Sequence, residues 1–382
     1  MCTRFARPLG LLTCWTLLTG CGTSGQSGTT PTPPGPGDVA LTVATVAGGF
    51  DTIWELAWGP DNQLWVTERG GTISRVNPTT GAISRVGTLP VNEVGEGGLM
   101  GLAFHPDYAS GSPFIYVAHT YSAGNAVRNR VLRVAITNGT LGAVTPILED
   151  VPGSSVHNGS RIVVGPDRLL YVSFGDAANT ALPQNATSLA GKILRLTLDG
   201  QAAPGNTLGG RVYTLGHRNP QGLVFARGTL YSTEHGPGDN DELNRIEAGR
   251  NYGWPDVRGA CDGDAGQAEL SFCTANNVVE PLAKWTPTIA PSGLDFYDNA
   301  RIPQWRGSLL FTSLKGSTLY RAPLSTDGRS VGTMEKLYAD QFGRLRDVLV
   351  APDGAVYLAT SNKDGRGSPQ AQDDRIIRLA PQ

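Results

Sequence analysis

The stretch Gly165–Asp176, GPDRLLYVSFGD, followed at Lys192 by KILRLTLDG, decides the fold. It reads as a Pro-Asp turn, an alternating strand, a polar turn and a second strand carrying basic residues. The same unit recurs along the chain. It appears as GPDNQLWVTERGGTISRV over Gly59–Val76, and as HPDYASGSPFIYVAHTY from His105 with RVLRVAI at Arg130. It returns as ARGTLYSTEHG at Ala226 with ELNRIEAG at Glu242, and as WRGSLLFTSLKGSTLYRAPL from Trp305. The last copy is APDGAVYLATSN from Ala351 with DRIIRLA at Asp374. Alternation predicts half-buried antiparallel strands in every copy. Six such units predict an all-β chain, a six-bladed β-propeller of four-stranded antiparallel blades, because radial closure leaves few free strand edges. Long inserts separate the third, fourth and fifth copies and are expected to build the ligand-bearing face.

Composition agrees and excludes other classes. The 382 residues include 50 glycines and 26 prolines, which disfavour long helices. Only 17% are charged and the net charge is −2, so no basic nucleic-acid surface is expected. Hydrophobic residues make up 40%, enough to bury a core.

Residues 1–21 read as a lipoprotein-type signal peptide. Arg4 and Arg7 precede a short apolar run, and Leu18-Thr19-Gly20-Cys21 places a thiol after small residues, where a lipid could be attached. Residues 22–38, rich in Gly, Ser, Thr and Pro, read as a tether, and 39–382 as the propeller. The expectation is an exported, periplasmic or cell-surface monomer that meets the membrane through Cys21 alone. Cys261 and Cys273 are the two cysteines of the propeller region, and in an exported chain they predict one disulfide.

Several loops carry residues suited to chemistry. His157 lies in SSVHNGSRIVVGPD, and a loop imidazole can act as a general base. Arg218 and Asn219 lie in GHRNPQG, where Gly and Pro fix a cation beside an amide. The acidic bend EHGPGDNDE, Glu234–Glu242, can aim carbonyls and carboxylates at a hard cation. Arg344 and Arg346 are two apart and would share a face on a strand, with Lys315 able to join them. Such converging cations call for an anion.

Taken together, GEGGLMGLAFHPDY, HNGSRI, LGHRNPQGL, EHGP with DELN, NYGWP, TIAPSGL and the Lys315 and Arg344/Arg346 segments resemble the soluble pyrroloquinoline-quinone (PQQ) dependent glucose and aldose sugar dehydrogenases. The resemblance implies PQQ on the top face of the propeller and oxidation of the sugar C1 hydroxyl to a lactone, with electrons passing on to an external acceptor. It implies that His157 is the base and that Arg218 polarises the quinone. Glu96 and Asn219 would lie against the cofactor, and Lys315, Arg344 and Arg346 would bind its carboxylates and quinone oxygens. Gly236 and Pro237 would give carbonyls to a calcium ion completed by PQQ. Glu242 and the Tyr252 carbonyl would hold a second, structural calcium. Val156 and Glu96 stand where the best-known glucose enzymes carry an acid and a glutamine, which points to the broader aldose branch.

Two other readings compete. A non-catalytic propeller binding glycan or protein at the cell surface would not need His157, Arg218, Lys315, Arg344 and Arg346 together. A calcium-dependent lactonase would gather carboxylates such as Glu96 and Asp176 around one axial metal.

Overall fold

The computed structural model describes residues 39–382. The expected signal segment, Cys21 and the tether lie outside the described residues. The first strand, β1 (Leu41–Gly48), is set aside until the end of the chain. Blade one is β2 (Ile53–Trp58), β3 (Leu64–Glu68), β4 (Thr72–Val76) and β5 (Ile83–Thr88). Blade two is β6 (Leu99–Phe104), β7 (Phe114–Ala123), β8 (Ala126–Thr137) and β9 (Thr140–Pro152). Blade three is β10 (Ile162–Val164), β11 (Leu170–Phe174), β12 (Lys192–Leu196) and β13 (Val212–Leu215). Blade four is β14 (Pro220–Ala226), β15 (Thr229–Glu234), β16 (Asp241–Ile246) and β17 (Ala283–Trp285). Blade five is β18 (Pro291–Tyr297), β19 (Ser308–Ser313), β20 (Thr318–Pro323) and β21 (Glu335–Leu337). Blade six is β22 (Leu345–Val350), β23 (Val356–Thr360) and β24 (Arg375–Pro381), with β1 as its outer strand. Pairing of β1 with β24, from Leu41↔Pro381 to Gly48↔Arg375, closes the ring with both ends of the propeller in one sheet.

The first strand of each blade touches the first strand of the next, so β2, β6, β10, β14, β18 and β22 surround the axis. Six apolar clusters fill the six spaces between neighbouring blades. This packing corrects the expectation of half-buried alternation. The second strands β11, β19 and β23 are buried at every position, because a blade lies against each of their faces. Exposure to solvent grows toward the rim, where β5 and β1 have runs of exposed positions rather than alternation.

Tight axial packing sets local sequence. A Cβ at Gly293 would fall 1.8 Å from Asp347 Oδ1, so blade five can meet blade six only through glycine there. On the axis Arg161 from blade three lies 2.5 Å from Glu55 of blade one and 3.1 Å from Asp347 of blade six. Burial pushes the Glu55 carboxyl up to about 8 and raises Asp347 as well, against the pull of Arg161. Between β16 and β17 an insert carries helix α1 (Gln267–Asn276) and the Cys261–Cys273 disulfide, whose Cα atoms are 6.1 Å apart. The expected bridge is therefore present, inside blade four.

Candidate active site

His157 sits on the turn that enters β10, at φ 58°, a left-handed conformation that strains a residue with a side chain. Its Nδ1 lies 2.8 Å from Asp176 Oδ1. Asp176 is buried, and its carboxylate also accepts from Trp254 Nε1 and Ala178 N, both at 2.8 Å. Acceptor-only Asp176 makes Nδ1 the protonated ring nitrogen and leaves the lone pair on Nε2. Arg218 Nη2 donates to that Nε2 at 3.0 Å, and the Arg218 guanidinium lies 5.4 Å above the Trp254 ring. Burial lowers the Arg218 pKa from its ordinary value, with Asp176 and Glu234 opposing. The GHRNP loop is held from behind by Glu234, which accepts from His217 Nδ1 at 2.9 Å and from the Arg218 and Asn219 amides.

Glu96 completes this wall. Its Oε2 accepts the His157 amide at 3.3 Å, and its Oε1 lies 2.5 Å from Arg366. Burial pushes its carboxyl up, but the Arg366 hydrogen bond and neighbouring positive charge outweigh that and hold it below the ordinary value. Asn219 is placed behind the lining. It is fully buried, and its amide oxygen accepts from Gly159 N and Gln221 Nε2, each at 3.1 Å.

The opposite wall is cationic. A cavity of about 490 Å³, within the range of small-molecule sites, is lined there by Lys315, Arg344 and Arg346. Arg344 precedes β22 and pairs with Asp364 at 2.7 Å. Arg346 lies on β22, buried, with Nη1 donating to Gln221 Oε1 at 2.9 Å; its Nε is buried without a partner. Burial lowers it to about 10, and the Arg344 charge adds to this. Lys315, on the turn between β19 and β20, is exposed and donates to Thr288 Oγ1 at 2.9 Å. Arg69 and Arg366 also face the cavity, against the carboxylates Glu96 and Asp364. His235 is neutral there, since burial pulls it down to about 3. Five cations against two carboxylates leave the lining with a surplus of positive charge.

Gly236, Pro237, Glu242 and Tyr252, expected in two calcium sites, all line one small hollow next to Arg218. Burial raises the Glu242 carboxyl well above its ordinary value, and Glu234 and Asp241 beside it push the same way. On the neighbouring bend and strand, Asp239 Oδ1 and Asn244 Oδ1 are buried without partners, and Asn244 Nδ2 donates to Glu242 Oε2 at 2.7 Å. Among the described residues no group of three His, Cys, Asp or Glu side chains is placed to hold a metal. A cation in this hollow would therefore rely on carbonyls and few carboxylates, a donor set of hard oxygens that suits calcium. Glu96 and Asp176 do not converge on an axial metal; each is engaged, by Arg366 and by His157.

Sequence reading missed Trp54, Met100 and Gln221, which line the cavity. Each sits where a first strand slips register against its neighbour: between Ile53 and Glu55, Leu99 and Leu102, Pro220 and Gly222. Arg346 occupies the same place in blade six, between Leu345 and Asp347. The bulge turns one side chain out of the pleat and toward the cavity. It also breaks alternation, which hid these strands. Asp176 was noticed, but for a different role.

This fold and site have relatives. Residues 50–377 match the family described as Glucose / Sorbosone dehydrogenase, and the chain belongs to that family. It is 32% identical to quinoprotein glucose dehydrogenase B of Acinetobacter calcoaceticus, over 84% of this chain and 85% of that protein. Among solved structures it resembles the PQQ-bound aldose sugar dehydrogenase of Streptomyces coelicolor, at 37% identity and a TM-score of 0.79, over 91% of this chain and 99% of that one. It also resembles a putative oxidoreductase (glucose dehydrogenase) of Thermus thermophilus, at 40% identity and a TM-score of 0.78, over 89% and 100%.

Proposed function

We propose that this protein oxidises the C1 hydroxyl of aldose sugars to lactones, with PQQ and calcium as cofactors and His157 as general base. The observation that carries the reading is the cavity itself. A base held on a carboxylate lies beside a cavity whose lining, which includes the adjoining Asn158, Gly159 and Glu96, carries more cations than carboxylates, as an anionic cofactor such as PQQ requires. The PQQ-bound state of the Streptomyces coelicolor relative supports the same cofactor. Lys315, Arg344 and Arg346 would hold it, and the unpartnered Arg346 Nε is a donor left for such a ligand. When bound, PQQ supplies the quinone that takes up hydride, and calcium supplies Lewis acidity toward it.

The chain's own residues manage the proton. Asp176 keeps the Nδ1–H tautomer and orients the ring. Arg218 now occupies Nε2 and must yield it to the sugar hydroxyl, which His157 then deprotonates. Arg218, freed, keeps its positive charge beside the reacting centre, where developing negative charge is stabilised. Gly236 and Pro237 would offer carbonyls to the cofactor's calcium, and Glu242 with Tyr252 would hold a structural one. Export, a lipid anchor at Cys21, a monomeric state and an external electron acceptor belong to the same proposal.

The test is reconstitution. PQQ and calcium are added to the purified protein, and dye reduction is measured across a panel of aldoses. Sugar-dependent reduction that requires both additions is expected. No reduction with any sugar would favour a propeller that binds glycan or protein at the cell surface.

A further inference from the structure

Two loops, from blades two and six, meet at the rim of the cavity on either side of blade one. One is the turn 94–97 ahead of β6; the other is the segment 361–372 between β23 and β24. The ion pair of Arg366 with Glu96 joins them. The blade-two turn is moulded onto the turn that carries the base. Glu96 N donates to Ser155 O at 2.7 Å, and a Cβ at Gly95 would fall 2.1 Å from that same oxygen. Glu96 Oε2 accepts the His157 amide.

A strained left-handed residue persists only where its surroundings over-determine it. Besides Arg218 on Nε2, His157 has three such anchors. Its ring is held by Asp176, its carbonyl by Ala177 N at 3.2 Å and its amide by Glu96. The third is set by Arg366, which comes from a distant segment and whose side chain is 58% exposed. At that exposure the pair adds little to stability. What it does fix is the carboxylate orientation that presents Oε2 to the His157 amide.

We propose that Arg366 is a positioning residue for the base: by holding one oxygen of Glu96 it keeps the other on the His157 backbone, and so sets the imidazole. This deepens the reading of His157 as base and rests on it.

The test compares wild type with R366A, R366K, E96A and the double R366A/E96A variant. Amide exchange over residues 154–160 is followed by mass spectrometry, without cofactor and with PQQ and calcium. The kcat, the KM for sugar and PQQ affinity are measured alongside. R366A is expected to speed exchange at the His157 amide and to lower kcat about tenfold, a positioning-sized effect. KM for sugar, read with kcat at saturating PQQ, should stay within about twofold, since only an interaction that matters in the transition state is lost. PQQ affinity is expected to fall separately, because the lining loses one cation. R366K should restore part of kcat, and the double variant should be no worse than E96A alone. Unchanged exchange in R366A would overturn the proposal. So would a loss confined to KM, which would make Arg366 a direct sugar contact, or independent effects that multiply in the double variant. If wild type oxidises no aldose, the functional reading fails, while the exchange comparison still decides whether Arg366 holds the His157 turn.

Discussion

The two sides of the site are built on opposite electrostatic plans. On the side from blades two to four, behind the Glu96, Asn158 and Gly159 lining, basic groups meet acceptors: His157 has Asp176, and the amides of the Arg218 loop have Glu234. On the side from blades five and six, Arg344 and Arg366 have carboxylates, while Arg346 rests on neutral Gln221 and Lys315 on neutral Thr288. The first side is wired internally to orient one imidazole. The second keeps charge in reserve for a ligand. Under the proposed function, orientation and affinity rest on different blades, and each should be open to disturbance without the other.

The largest expected effect disturbs the first side. His157→Ala should lower turnover roughly 10²–10⁴-fold, the usual cost of losing a positioned base, at saturating PQQ and sugar. Equal losses in turnover and in cofactor affinity would merge the two sides. Arg346→Ala should do the reverse. Removing one hydrogen bond to a charged ligand should weaken PQQ affinity by roughly 10- to 100-fold, read from the cofactor concentration needed for half-maximal rate, with turnover at saturation kept. A smaller effect concerns the hollow beside Arg218. If calcium binds at Glu242, chelator should lower the melting temperature of the cofactor-free protein, and Glu242→Gln should erase that difference. Identical melting of wild type with calcium and with chelator would remove the structural ion from the account.

The smallest effect lies on the axis beneath both sides. Burial raises the Asp295 carboxyl to about 7, although it accepts the Val350 amide at 2.6 Å. A carboxyl whose folded pKa is raised binds its proton more tightly than in the unfolded chain. Its contribution is therefore fully present below the ordinary carboxylate range and is lost as pH rises toward about 7. Asp295→Asn should flatten the fall in melting temperature between about pH 4 and pH 7 relative to wild type. Parallel melting curves would mean that Asp295 is ionised in the fold.

Much of this architecture was legible in the sequence because the second and third strands of each blade repeat the same turn and the same basic residues. GPDRLLYV and its counterparts mark β11 and the other second strands. The first strands were not legible as a set. Packing at the axis demands glycine at Gly293 and bulges at Trp54 and Gln221, and both erase the two-residue period. The site was legible where loop composition is unusual, as at HNGSRI and GHRNPQG. Asp176 and Arg366 carry no such signal. Their partners, His157 and Glu96, lie 19 and 270 residues away in sequence, and only the closed ring brings them together.

The division of labour between the two sides is tested most directly by one titration. PQQ is added, with calcium, to wild type, His157→Ala and Arg346→Ala, and quenching of tryptophan emission is followed, since Trp54 lines the cavity. The account predicts that His157→Ala binds PQQ as tightly as wild type while failing to turn over, and that Arg346→Ala binds more weakly. Loss of binding in His157→Ala, or unaltered binding in Arg346→Ala, would contradict it.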